Sequence, residues 1–396
     1  MAAVRRAESG KGIMELTSGL FAGTVTGAVI VLPIITILLW NRLRGPRPVR
    51  HAQRLGLIAL CQSTAVLLAA LLINNSFQLY TSWSDLLGQD GSLGRIQAGN
   101  PVAASVGARS ADRALPNFKL FHTDGHGHSE YTAAITGPRS KVTGDVYVWL
   151  PAQYGQKSYE HVEFPVIQLF SGNPGSPSAW FRALSGPAIL QAQINAGSAR
   201  PAILVSAQIN VNPPHNPDCS NIRHGPQVAT WLTQDVRNLV ISSFRVETDR
   251  SGWGLMGYSE GGLCASKLAL QYPGDYAAGV SMSGDDHPDG DELVPGSAAY
   301  DQNSPLWLLQ HQPAPPVALL LTGTLQDGST AAEADAMSRA AKAPTVVERL
   351  IAARGGHNVG VWKAVEPAAF DWLSRHLGAA QNSSLVVAPN LLGGEG

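Results

Sequence analysis

Ser259 lies in the run Gly257-Tyr258-Ser259-Glu260-Gly261. Glycines on either side of a serine suit a sharp turn from strand to helix, where larger side chains would collide. The apolar stretch Gly252 to Met256 precedes the turn, and the helix-forming run LCASKLALQY follows it. Such a turn holds the hydroxyl above a sheet, at the positive end of a helix dipole that favours developing negative charge. A serine hydroxyl is a weak nucleophile until a base takes its proton. His357 is the candidate base, in Gly355-Gly356-His357-Asn358 between the last strand-like run and the closing helix. His376, inside that helix, and His311, ahead of a strand, are worse placed. An acid must then orient the imidazole. Asp327, in TLQDGST after the strand-like VALLLTGT, fits that role. Its rivals are Glu333 and Asp335 on the next helix, and Asp285 and Asp286 after an earlier strand. A tetrahedral intermediate needs backbone N–H donors. Glu260 supplies one. Asn173, in Ser171-Gly172-Asn173-Pro174-Gly175, supplies the other, because Pro174 has no N–H. The competing reading of that loop is an ordinary turn.

These residues need a frame that brings strand ends together. From about residue 118 the chain alternates strand-like and helix-like runs. EYTAAI and KVTGDVYVWLP read as antiparallel strands joined by GPRS, and FPVIQLF, PAILVSAQI, GWGLMGY, YAAGVSMSG, PPVALLLTGT and VVERLIA as further strands. Between them SAWFRALSGPAILQAQINAG reads as a broken helix, and GPQVATWLTQDVRNLVISSF, AAEADAMSRAAKA and VWKAVEPAAFDWLSRHL as amphipathic helices. This alternation is that of an α/β protein: a mostly parallel sheet covered on both faces, with an antiparallel N-terminal edge.

The first eighty residues are different. No residue from Leu16 to Trp40 is charged, and a second apolar run extends from Leu55 to Ile73. Each exceeds or approaches the roughly 20 residues needed to cross a bilayer, and neither has a polar face at helical spacing. Both are expected to be transmembrane helices, at about 16–40 and 55–74 within an anchor spanning residues 1–75. The segment between them carries Arg42, Arg44, Arg47, Arg50 and Arg54 and no acid, which places it in the cytoplasm and the rest of the chain outside. A cleaved signal peptide fits less well, since a second apolar run follows. Residues 76–117 read as a juxtamembrane linker in which SWSDLLG forms a short helix, 118–380 as the main domain, and 381–396 as a loose tail. Charged residues make up 14% of the chain, against roughly 25% in a typical soluble protein. The net charge of −1 gives no reason to expect a nucleic-acid partner.

Cys219 and Cys264 could pair in an exported domain, but their spacing does not require it, and Cys264 reads as a small apolar residue on a helix. His122, His126 and His128 with Asp124 could hold a divalent cation, yet they also fit the start of a strand. Asp285 to Glu292 reads as a solvated acidic loop near the site mouth rather than a calcium site. There is no phosphate-cradling loop and no dinucleotide fingerprint, so neither cofactor nor metal is expected.

The segments DVYVWLPAQY, LFSGNPGSPSAW, GLMGYSEGG and GGHNVGVWKAVEPAAFDWL resemble the putative esterase family of α/β-hydrolases, which includes S-formylglutathione hydrolases and mycobacterial mycolyltransferases. The resemblance covers roughly residues 120 to 378. It implies an α/β-hydrolase fold, a triad of Ser259, Asp327 and His357, and oxyanion donors at Asn173 and Glu260. The expected activity is that of a membrane-anchored serine esterase acting on a small-molecule or lipid ester. The alternatives are an acyltransferase of mycolyltransferase type, passing the acyl group to a sugar or lipid alcohol, and a non-catalytic hydrolase-like surface module.

Overall fold

The computed structural model describes residues 19–77, 83, 118–123, 128–378 and 381–382. The linker with its SWSDLLG helix apart from Trp83, Asp124, His126, and the tail beyond Asn382 lie outside them. Among the described residues, 19–77, 83, 326–328 and 353–361 form one compact unit and the others a second.

Two helices open the first unit: α1 (Gly19–Leu39), with Pro33 inside it, and α2 (Arg47–Phe77). Both are long and apolar enough to cross a membrane, and most of their apolar surface is exposed. α2 begins at Arg47, well before the expected Leu55, so half of the basic segment is helical. The remaining turn is short. Arg54 stacks over the Trp40 ring at 4.7 Å and donates to the Trp40 carbonyl at 3.1 Å. Thr36 and Cys61 meet across the pair at 3.4 Å.

Alternating apolar and polar residues open the second unit, as a half-covered sheet edge requires. Strands β1 (Lys119–Thr123), β2 (Ser129–Thr136) and β3 (Thr143–Leu150) form an antiparallel meander. β1 was not legible in the sequence. It takes in His122, while His128 faces Trp149 at 5.8 Å. The short β4 (Val162–Glu163) pairs with β11 (Gln381–Asn382), so the first residues of the expected tail are tied down.

The middle of the sheet comes from continuous apolar runs. β5 (Val166–Phe170) precedes helix α3 (Gly186–Ala196) and β6 (Ile203–Ala207). Helix α4 combines Val228–Thr230, the π-helical Trp231–Val236 and Arg237–Ser243. Then come β7 (Trp253–Tyr258), α5 (Glu260–Gln271), β8 (Ala278–Met282), α6 (Ala298–Gln302), α7 (Pro305–His311), β9 (Ala318–Thr324), α8 (Thr330–Ala340), β10 (Val346–Ala352) and α9 (Val359–His376). The nine-stranded sheet has the order β1-β2-β3-β6-β5-β7-β8-β9-β10, with β6 to β10 mutually parallel. Every residue of β5 to β9 is buried, as both-face coverage demands. The register places Tyr258 beside Met282, Met282 beside Thr322, and Thr324 beside Ala352. β7 to β10 therefore end at one edge of the sheet.

Two expectations change. Cys219 and Cys264 are joined by a disulfide, so Cys264 is a cross-link and not a packing residue. Its spacing along the chain carried no trace of this, because the fold brings together segments 45 residues apart. The acidic loop is anchored rather than freely solvated. Asp286 is buried, Gly290 N–H donates to Asp218 at 2.9 Å, and Asp291 accepts from Asn216 N–H at 2.8 Å.

Candidate active site

Ser259 joins β7 to α5 with φ 56° and ψ −129°, a conformation a non-glycine residue adopts only under tertiary constraint. The turn is fixed from both sides. Ser259 N–H donates to the Met282 carbonyl at 2.8 Å, and the Ser259 carbonyl accepts from Gly262 N–H at 2.8 Å. A Cβ on Gly257 would lie 1.9 Å from the Gly261 carbonyl oxygen, and one on Gly261 would lie 2.3 Å from that of Phe170. Both positions must be glycine for β5 and the turn to approach this closely. Ser259 keeps partial exposure, while Glu260 is buried behind it. The Glu260 amide is in the first turn of α5, where helix geometry provides no backbone acceptor.

The loop after β5 comes next to the serine. A Cβ on Gly172 would lie 3.4 Å from Ser259 Oγ, so this backbone passes directly beside the hydroxyl. Asn210, on the segment after β6, donates to the Gly172 and Gly175 carbonyls at 3.1 and 3.2 Å. A Cβ on Gly172 would also lie 3.1 Å from the Tyr258 ring, and burial pushes the Tyr258 hydroxyl pKa up, with the Gly172 backbone opposing the shift. Asn173 carries the next amide of the loop, followed by a cis peptide to Pro174. Tyr258 stacks on Trp362 of α9 at 4.5 Å and packs against Trp180 at 5.5 Å. Its ring thus ties the nucleophile strand to the loop and to α9. Sequence reasoning passed over Gly172, Tyr258, Asn210 and Trp362. Only Tyr258 and Gly172 carried a signal, by sitting inside or beside the motifs.

Asp327 and His357 belong to the first unit. Asp327 comes just after β9, and His357 lies between β10 and α9. His357 Nδ1 lies 3.0 and 3.2 Å from the two carboxylate oxygens of Asp327. The Asp327 side chain is 4% exposed and that of His357 25%, a buried acid holding a more accessible base. Gln326 accepts from Gly355 N–H at 3.1 Å, and Asn358 caps α9 by accepting from Val361 N–H at 3.1 Å, which fixes the loop around His357. Three of the four rival acids have partners of their own: Asp286 with His287 at 2.6 Å, Glu333 with the Asp286 amide at 3.2 Å, and Asp335 with Arg339 and Arg349. Asp286, His287 and Glu333 are close enough together to offer ligands to one cation, but these hydrogen bonds already account for them.

With this geometry in view, comparison with known proteins is decisive for the family. Residues 140–366, more than half of the chain, match the family described as "Putative esterase". The chain belongs to this esterase family. An uncharacterised protein of Corynebacterium glutamicum is 28% identical over 254 residues, which are 59% of this chain and 58% of that one. The match thus spans little more than half the length of that curated relative. Among solved structures, an S-formylglutathione hydrolase from Agrobacterium tumefaciens aligns with TM-score 0.56 at 14% identity, over 66% of the esterase chain and 100% of its own. A ferulic acid esterase aligns with TM-score 0.54 at 16% identity, over 64% and 99% respectively. A fluorophosphonate-binding serine hydrolase of Staphylococcus aureus aligns with TM-score 0.51 at 17% identity, over 62% and 98%. At these identities the structural likeness shows the fold.

Proposed function

We propose that the protein is a serine carboxylic ester hydrolase held in a membrane by α1 and α2, with its hydrolase domain outside the cytoplasm. The strained backbone at Ser259 carries this reading. A serine held at positive φ on a strand–turn–helix, with Gly172 backbone against its hydroxyl, is built for attack and not for packing. In this mechanism Ser259 Oγ attacks the acyl carbonyl while His357 Nε2 takes its proton. Asp327 fixes the tautomer through Nδ1–H and stabilises the imidazolium. The Glu260 and Asn173 amides receive the oxyanion. His357 then returns the proton to the departing alcohol, and water, deprotonated by the same base, cleaves the acyl-enzyme.

The test uses the full chain in detergent. A fluorophosphonate probe is expected to label the wild type and not Ser259→Ala, with p-nitrophenyl ester hydrolysis lost in parallel. Labelling at another residue, or equal labelling of Ser259→Ala, overturns the proposal. Adding trehalose or glycerol to the assay reads acyl transfer directly: a transfer product exceeding free acid would replace hydrolase by acyltransferase.

A further inference from the structure

Glu260, Cys264 and Lys267 recur along α5 at helical spacing, so they share one face of the helix that begins at the nucleophile. All three are buried, Lys267 with 0% exposure. They meet a single segment of chain, Asn216 to Ser220. Cys264 is bonded to Cys219. Lys267 Nζ donates to the Asp218 carbonyl and, at 2.7 Å, to the Ser220 hydroxyl. The Glu260 carboxyl faces the Asn216 side chain without a well-formed hydrogen bond, within 4.8 Å of both sulfurs. The segment is itself held from outside. Gly290 N–H donates to Asp218 Oδ2 at 2.9 Å, Asn216 N–H to Asp291 at 2.8 Å, and Ser220 Oγ to Asn303 at 3.0 Å.

Burying an ammonium is costly, and an apolar side chain would fill the same space more cheaply. Burial pushes the Lys267 amine down to about 7 and the Asp218 carboxyl up to about 6, while each group's charge opposes the other's shift. What Lys267 provides that an apolar residue does not is direction. It accepts one longitudinal position on Asp218 and Ser220, and the disulfide fixes the turn above it.

We infer that Lys267 and the Cys219–Cys264 disulfide form a clamp that positions the nucleophile, holding α5 in register so that Ser259 Oγ and the Glu260 amide keep their places. Lys267 is thus a positioning residue for the reaction at Ser259, acting through the helix without touching substrate. This rests on the serine esterase reading above. Small displacements at a reacting centre cost about 10²-fold in rate. Lys267→Met should therefore lower kcat about 10-fold to 100-fold with KM nearly unchanged, and slow fluorophosphonate labelling by the same factor. Replacing both Cys219 and Cys264 by alanine should lower kcat similarly, and the combined variant should lose less than the product of the two effects. Ser220→Ala removes one Lys267 partner as a milder variant, should Lys267→Met fail to fold. Amide hydrogen exchange of the segment Ser259 to Gly262 gives a readout independent of turnover, and is expected to quicken in each variant. Folded variants with unchanged kcat, or with unchanged protection of that segment, overturn the clamp. An inert wild type would overturn the esterase reading alone, and the exchange measurement would still decide the clamp.

Discussion

At the scale of single residues, the proposed role of Asp327 as the acid is the assignment that matters most, because several other carboxylates follow strands of the sheet in the chain. Its two oxygens flank His357 Nδ1, while Asp286 and Glu333 are occupied with other partners. An amide at this position would offer the imidazole an ambiguous partner and release the tautomer that leaves Nε2 able to accept a proton. Asp327→Asn should therefore lower kcat for a p-nitrophenyl ester by about 10⁴-fold, the scale seen when a triad acid is so replaced. Asp286→Asn and Glu333→Gln should change it by less than about threefold, as expected of carboxylates outside a triad. If Asp286→Asn were the damaging variant, the acid would lie after β8 and the triad would need redrawing. Motif order offered Asp327 as a partner for His357 but left four other acids as rivals; the hydrogen bonds between the two side chains come from the fold. The support around the site was not legible either, since Asn210 and Trp362 reach it through strand register and helix packing that one sequence does not encode locally.

At the scale of elements, the turn between β7 and α5 depends on backbone contact that tolerates no side chain. Gly257→Ala would place a methyl group 1.9 Å from the Gly261 carbonyl carried by the adjoining helix turn. Such overpacking against backbone is expected to cost about 3 kcal/mol or more, read as a lower thermal midpoint and less soluble enzyme. The strands around this turn were legible because buried parallel strands are unbroken apolar runs, and those of β5 to β9 are bounded by turn residues. β1 was missed because LysLeuPheHisThr is too short and mixed to show a period, and forms by pairing with β2. At the opposite end of the sheet, Glu247 joins β4 and β5 to β7: its amide donates to the Phe164 carbonyl at 3.0 Å, and its carbonyl accepts from Trp253 at 2.6 Å. Burial, then Glu163 and Asp249, push its carboxyl up from 4.5 to about 7. Between those values the folded state retains a proton that the unfolded chain has released, so stability falls as pH rises through the window and stays reduced above it. Glu247→Gln should raise the thermal midpoint at pH 8 by a few degrees, about 2–4 °C per kcal/mol recovered. At pH 4 it should bring no gain. A gain at both pH values would mean that charge is not the cause.

At the scale of the whole molecule, two independent features bear on where the hydrolase domain resides. One is covalent. The Cys219–Cys264 disulfide is buried, with both cysteines 0% exposed, and such bonds form and persist in oxidising compartments. The other is topogenic. Arg42 and Arg44 lie in the turn between α1 and α2, and Arg47, Arg50 and Arg54 in the first turns of α2, with no acid among them; the proposed topology keeps this basic segment in the cytoplasm. A hairpin whose turn is cytoplasmic sends everything after α2 to the other side, where the disulfide would form. Neither feature was selected to agree with the other, so their agreement can be tested at both ends. A phosphatase fused to the C-terminus should be active, as this enzyme requires export, and a fusion within the turn near Gly45 should be inactive. Alkylation of the denatured, unreduced protein should mark Cys61 alone, with Cys219 and Cys264 marked after reduction. An inactive C-terminal fusion together with free thiols at Cys219 and Cys264 would put the domain in the cytoplasm. Replacing these five arginines by glutamate should then separate the two causes: if those charges set the topology, C-terminal phosphatase activity falls and the thiols of Cys219 and Cys264 appear in the same molecules.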